Sequence, residues 1–218
     1  MRYSIAALSG LALAASGALA GPGPDDDKLL VEGEEIATEA ATPEGHPLDR
    51  LYSGWRYRSD ETQSLQTDDF ENPAMVAVEY GEELWETPAG AENKSCADCH
   101  GDVSELAGLR AVMPKWSDEA GKPQALEQWI NHSITTHQGA DPWKWESAEM
   151  LAMTALIGLQ SRGMPMAPET GGRMQEWQDK GETLYYTRVG QLDMACNQCH
   201  EDNNGQMIRA DHLSQGNV

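Results

Sequence analysis

Apolar and polar positions change character several times along this chain. A short run of apolar and small residues from Ile5 to Ala15 follows Arg2 and precedes Ala18-Leu19-Ala20. A positive start, an apolar run and a small-residue site predict a secretory signal peptide over 1–20, with the mature chain starting near Gly21. The run is too short to cross a bilayer, and no later stretch is longer. Residues 21–50 are rich in Asp, Glu, Gly and Pro and have little periodicity. They predict an acidic, flexible arm. Tyr52, Trp55 and Tyr57 begin a more structured stretch.

Helical spacing then dominates. Pro123 opens a helix over roughly Ala125 to His137, which Pro142 breaks. Ser147, with Glu146 and Glu149 beside it, starts another. Met150, Leu151, Thr154, Leu156 and Ile157 form its apolar face, Gly163 ends it, and Met164-Pro165-Met166 make a loop. No stretch alternates as a strand would. The pattern predicts a mostly α fold.

A repeat is laid over this pattern. Gly81-Glu82-Glu83-Leu84-Trp85-Glu86-Thr87-Pro88-Ala89-Gly90 aligns without a gap on Gly181-Glu182-Thr183-Leu184-Tyr185-Tyr186-Thr187-Arg188-Val189-Gly190. Each reads as the end of a short helix. Each leads to the same pentapeptide type, Cys96-Ala97-Asp98-Cys99-His100 and Cys196-Asn197-Gln198-Cys199-His200. Two tandem modules follow, over 51–170 and 171–218.

The cysteines supply the chemistry. Four Cys in an exported chain would first suggest two disulfides. Here all four fall in C-x-x-C pairs followed at once by His. That is the signature of covalent haem c: two thiols bond the porphyrin vinyl groups and the adjacent imidazole ligates the iron. Cys96, Cys99, Cys196 and Cys199 are therefore expected to tether two haem c groups, with His100 and His200 as proximal ligands. A thioredoxin-like pair needs no His there, and zinc sites use other spacings.

Composition fits an exported cytochrome. Apolar residues are 39% of the chain, with one Phe but seven Trp and ten Met; a large apolar cofactor lessens the need for side-chain core. The formal charge is -21, and the loss of 1–20, whose sole charge is Arg2, makes it -22. Such a charge argues against nucleic acid or an anionic membrane as partner and is compatible with a basic protein partner.

From about Tyr52 onward the chain resembles SoxA, the dihaem subunit of the SoxAX cytochrome. The resemblance rests on Asp68-Asp69-Phe70-Glu71-Asn72-Pro73, Ser95 to Gly101, Leu126-Glu127-Gln128, Ile130-Asn131, Pro142-Trp143 and Gln160-Ser161-Arg162-Gly163-Met164-Pro165, with Cys196 to His200 as the second haem motif. It implies a periplasmic enzyme that conjugates thiosulfate to a cysteine of the SoxYZ carrier and passes electrons to haem. The partner would be a SoxX-like monohaem cytochrome c. The implied fold is two tandem cytochrome c-like domains with long haem-covering loops.

Two departures from the family qualify that expectation. The family's distal ligand to the first haem looks to be a Cys in an I-N-x-C-R segment, but here Ser133 stands at that position in Ile130-Asn131-His132-Ser133-Ile134. His132 ranks first as replacement, then His137, placed one helical turn beyond Ser133, then Met164 or Met166. The second departure is length. Gly81 to Met166 spans 86 residues, whereas 38 run from Gly181 to Val218 and 18 of these follow His200. The second domain is expected to be incomplete, its haem's sixth position open or weakly filled by Met207 or His212. No Cys follows Cys199, so the family's catalytic cysteine has no counterpart here. A non-catalytic dihaem electron carrier, or an inactive scaffold for a monohaem partner, is the alternative. Trp116, Trp129, Trp143 and Trp145 are expected around the first haem. Arg162, Arg188 and Arg209 are expected to pair with anions or with surface carboxylates, and His46 reads as a solvated residue of the arm.

Overall fold

The computed structural model describes residues 28–216; the expected signal peptide lies outside them. Seven α-helices are described: α1 Asp60–Ser64, α2 Met75–Glu86, α3 Ala97–His100, α4 Leu126–Ser133, α5 Ala148–Leu159, α6 Gln175–Tyr186 and α7 Cys196–His200. α5 starts as its sequence directs, with the Ser147 hydroxyl accepting from the Met150 N–H at 3.3 Å. The preceding helical segment spans Leu126 to Gln138, close to the expected Ala125 to His137. It passes from α4 into a π-helical turn, Ile134–Gln138, and stops at Gly139 in the left-handed conformation.

The main core lies where α2 meets α5. α2 contributes Val78 and Trp85, and α5 contributes Met150, Met153, Leu156 and Ile157, with Leu126, Ile130 and Ile134 closing one side. The apolar face of α5 is rotated from the expected one. Leu151 is half exposed, while Ala152 and Met153 are buried. Nearly every α5 position is apolar, so spacing alone could not select the face. Gly81 allows the two backbones to meet: a Cβ there would lie 2.6 Å from the Ala152 carbonyl oxygen and 2.8 Å from the Leu156 Cβ.

Strands are present, contrary to expectation. Four antiparallel hairpins pair β1 Leu29–Val31 with β2 Glu34–Ile36, β3 Glu39–Ala41 with β4 Arg50–Tyr52, β5 Lys115–Ser117 with β6 Lys122–Gln124, and β7 Met207–Ile208 with β8 Asp211–His212. Each strand has two or three residues, too few for alternation to show in a sequence window. The stretch 21–50, expected to be an arm, therefore forms hairpins from residue 29 on. Leu29, Val31 and Trp55 make a second small core with Ile36 against it. Glu32 and Gly33, both with positive φ, close the first hairpin.

The sequence repeat is also a repeat of conformation. α2 and α6 span equivalent positions, 100 residues apart at both ends. The bridge Ala89–Lys94 recurs as Val189–Met194. Gly90 and Gly190 have φ of 69° and 72°, and Asn93 and Asp193 have 49° and 47°. The same turn thus delivers the chain to each C-x-x-C-H helix.

Gly81→Ala is expected to destabilise the protein by about 1–3 kcal/mol, because the added methyl must push α2 from α5. Denaturant unfolding followed by far-UV circular dichroism checks this.

Candidate functional site

Both pentapeptides form a single helical turn whose N-terminal amide is capped from within. In the first, Ser95 N–H donates to Asp98 Oδ2 at 2.8 Å and Asp98 N–H donates to Ser95 Oγ at 3.1 Å. The Ser95 N–H, and after it the Ser95 hydroxyl, hold the Asp98 carboxyl below the ordinary carboxylate range. In the second, Ala195 N–H donates to Gln198 Oε1 at 2.8 Å. All four cysteines are unpaired. An i, i+3 spacing on one turn places the two sulfurs of each motif on one face, as double attachment to a single ring requires.

At the first motif the His100 ring lies 5.9 Å from that of Trp85. The buried Trp85 donates its indole N–H to the Gly101 carbonyl at 3.0 Å, which fixes the chain where it leaves the motif. Burial pushes the Cys96 thiol up, and Gln138 Nε2–H lies 3.6 Å from its sulfur. Gln138 belongs to the π-helical turn, so that turn and the motif are in direct contact.

The turn also changes the geometry of the candidate distal ligands. In an α-helix, His132 and His137 would diverge at five residues apart. π winding brings positions five apart into line, and the two rings meet edge to face at 6.2 Å. His132 is half-buried, packs edge to face on Trp129 at 6.2 Å, and has Glu119 Oε2 3.6 Å from its Nδ1. Its Nε2 remains available as a ligand atom. His137 is exposed. Met164 and Met166 are both exposed, the Met164 sulfur facing Gly108. α4 is anchored by Asn131, whose side chain donates to the Trp143 carbonyl at 2.9 Å and accepts from the Trp143 N–H at 2.8 Å.

At the second motif His200 Nδ1 lies 2.8 Å from the Ser214 carbonyl oxygen. A carbonyl accepts only, so Nδ1 bears the proton and Nε2 keeps a lone pair for a metal. A cavity of about 800 Å³ opens over Cys196 and His200. Tyr185 and Glu182 line it from α6, and the turn containing Glu44 and His46 lines it from the N-terminal side. His46, read from sequence as a solvated arm residue, is thus exposed yet part of this wall; no local signal in the sequence ties it to a motif 150 positions later. Desolvation, then the charge of Glu201, pushes the Tyr185 hydroxyl up to about 12. Tyr186 donates to Glu201 at 2.8 Å.

Haem fits these residues. The thiols are free, the His200 tautomer is set for ligation, and the cavity lies beside both. Near the first motif the buried Trp129 indole N–H has no hydrogen-bond partner among the described residues, and a haem propionate is an acceptor of the kind such a donor requires.

Other expected residues are placed elsewhere. Arg162 makes a bidentate pair with Asp69, at 2.9 and 3.0 Å, so two of the family-like stretches are joined by one ion pair. Arg188 faces Asp193 at 3.7 Å. Arg209 occupies a positive-φ turn position. Met207 is exposed, and His212 Nδ1 lies 3.1 Å from the Gly205 carbonyl. Trp116 stacks under Arg173, and Trp145 is exposed. Trp129 and Trp143 do pack on the main core.

Residues 80–166 match the family model described as SoxA/TsdA, cytochrome c domain. The L-cysteine S-thiosulfotransferase subunit SoxA of Rhodovulum sulfidophilum is 49% identical over 208 residues, 93% of this chain and 72% of that protein. The subunit of the same name from Paracoccus pantotrophus is 44% identical, over 97% of this chain and 75% of that one. The crystal structure of SoxXA from P. pantotrophus superposes with a TM-score of 0.83 at 42% identity, covering 89% of this chain and 75% of the matched chain.

Asn131→Ala is expected to lower stability by about 1–3 kcal/mol, since it leaves the Trp143 amide and carbonyl without their partner. Thermal unfolding monitored by circular dichroism tests this.

Proposed function

Because the chain belongs to the SoxA family of L-cysteine S-thiosulfotransferase subunits, we propose that it is the dihaem subunit of a thiosulfate-conjugating enzyme in the periplasm. Its substrates would be thiosulfate and a cysteine thiol of a SoxYZ-type carrier. A SoxX-type monohaem cytochrome c would complete the enzyme. The signal peptide over 1–20 would export it. Joining the two sulfurs turns a thiol and thiosulfate into an S-thiosulfonate (R–S–S–SO3−), a proton and two electrons. Haem, when bound, supplies one-electron acceptors for these electrons.

The residues of this chain hold and tune those acceptors. Cys96 and Cys99 would form the thioethers of the first haem, and Cys196 and Cys199 those of the second. His100 and His200 would be the proximal ligands. His132 is the proposed distal ligand of the first haem, because Ser133 offers no thiolate and the Glu119 carboxylate near Nδ1 leaves Nε2 free. Every cysteine of the sequence lies in a haem motif, so no catalytic residue is assigned here. The alternative is a dihaem electron carrier without sulfur chemistry.

The two modules are read as tandem cytochrome c-like domains, the second covered by less protein than the first. α6 buries none of its residues, whereas its counterpart α2 buries Val78, Gly81 and Trp85. Gly81 lies hard against α5, but Gly181 has no neighbour within 4 Å.

The observation that carries the proposal is one C-x-x-C-H turn built twice by equivalent elements, within a chain 49% identical to a named SoxA. Intact mass and a pyridine haemochrome assay should count two haems, and a Cys196→Ser/Cys199→Ser variant should retain one. His132→Ala should convert the first ferric haem from low to high spin in electron paramagnetic resonance, and an unchanged spectrum removes His132 as ligand. For activity, the purified complex with thiosulfate and carrier should add the mass of a thiosulfonate group (S2O3) to the carrier cysteine. Haem oxidation and reduction with an unmodified carrier would favour the electron-carrier reading.

A further inference from the structure

The segment after β8 that contacts His200 is itself held by the β3–β4 hairpin. Ser214 accepts from His200 through its carbonyl at 2.8 Å. Gly216, with φ of 76°, lies on the imidazole face, where a Cβ would meet the ring at 3.5 Å. The residue between them, Gln215, points its side chain the other way. It is buried, and both ends of its amide are bonded to one strand: Oε1 accepts from the Tyr52 N–H at 2.7 Å and Nε2 donates to the Arg50 carbonyl at 3.1 Å.

The pairing is specific in direction. Ser53 N–H donates to the Thr38 carbonyl at 2.8 Å, so the odd-numbered backbone groups of this strand face β3. The groups of Arg50 and Tyr52 therefore face away from β3, at an edge with no strand beside it. Gln215 fills that edge in the manner of one more strand. Two bonds from an amide fix its backbone more narrowly than one would. Arg58 reinforces the junction by donating to Asp211 at 3.0 Å and to the His212 carbonyl at 3.1 Å.

We infer that Gln215 is a positioning residue for the second haem: by clamping the 214–216 segment to β4, it sets the bond between Ser214 and His200 Nδ1–H. The inference rests on haem being attached at Cys196 and Cys199, as proposed above. A firm Nδ1–H···O=C bond raises the basicity of the imidazole and so favours ferric iron. Loosening the clamp weakens that bond and favours ferrous iron. The first haem shares none of these contacts and serves as an internal reference.

The test uses the full chain matured with haem. Gln215→Met keeps the length of the side chain and loses both bonds. At a fixed ambient potential the reduced-to-oxidised ratio of the second haem should rise about three- to tenfold, tenfold corresponding to about 59 mV for one electron, while that of the first haem stays as in the parent. The His200 Nδ1 proton should exchange faster with solvent in the paramagnetic NMR spectrum. Gln215→Asn, whose amide is one methylene shorter, should fall between parent and Met variant and serves if the Met variant does not fold. Parent-like potential and exchange in a variant that retains haem overturns the inference. Absence of haem mass on the parent's peptide containing Cys196 and Cys199 overturns the underlying reading instead.

Discussion

The first site depends on one close approach of backbone to backbone. Gly90 lies against the end of the π-helical turn so tightly that a Cβ there would be 2.1 Å from the Gln138 carbonyl oxygen and 2.7 Å from the Ala140 nitrogen. Ala91 and Glu92 donate their N–H groups to the carbonyls of Gly139 and Gln138, at 3.3 and 3.0 Å. Only a residue without a side chain permits this, and its φ of 69° suits glycine as well. The consequence reaches the chemistry. The segment bearing His132 and His137 is stitched to the turn that leads into Cys96.

The equivalent glycine of the second motif's turn makes no such approach among the described residues. Gly190 keeps the conformation, with φ of 72°, but nothing lies within 4 Å of where its Cβ would be. The turn was duplicated with its backbone, while the segment that leans on it differs. Around the second motif that supporting part is played by pieces remote in sequence: the 43–48 turn on the cavity, and residues 213–216 behind His200. Two sites with one local sequence thus reach rigidity by different tertiary means.

This contrast explains what could be read from sequence. The C-x-x-C-H turns, the α5 cap at Ser147 and the repeat of α2 in α6 are local, and each is encoded within a window of ten or so residues. The hairpins were not legible because strands of two or three residues leave no period. The apolar face of α5 was misplaced because Leu151 and Met153 are equally apolar, and only the partner helix distinguishes them. His46 and Gln215 were missed for a different reason. A His in a polar stretch and a Gln near the C-terminal end carry no signature at all; the cavity wall that includes His46 and the amide clamp of Gln215 join segments 150 or more positions apart, which no spacing reports.

His132 shows where local and distant information must be combined. Sequence alone places two imidazoles near Ser133 and cannot order them by geometry, since an α-helical reading puts His137 nearer the face of Ser133 than His132. The π-helical turn removes that basis, because it brings the two rings together rather than aligning one with Ser133. What separates them is environment. His132 is half-buried between Trp129 and the Glu119 carboxylate, whereas His137 stands exposed beyond it. A ligand imidazole is held best when its other nitrogen faces an acceptor and its ring is packed. His132 meets both conditions.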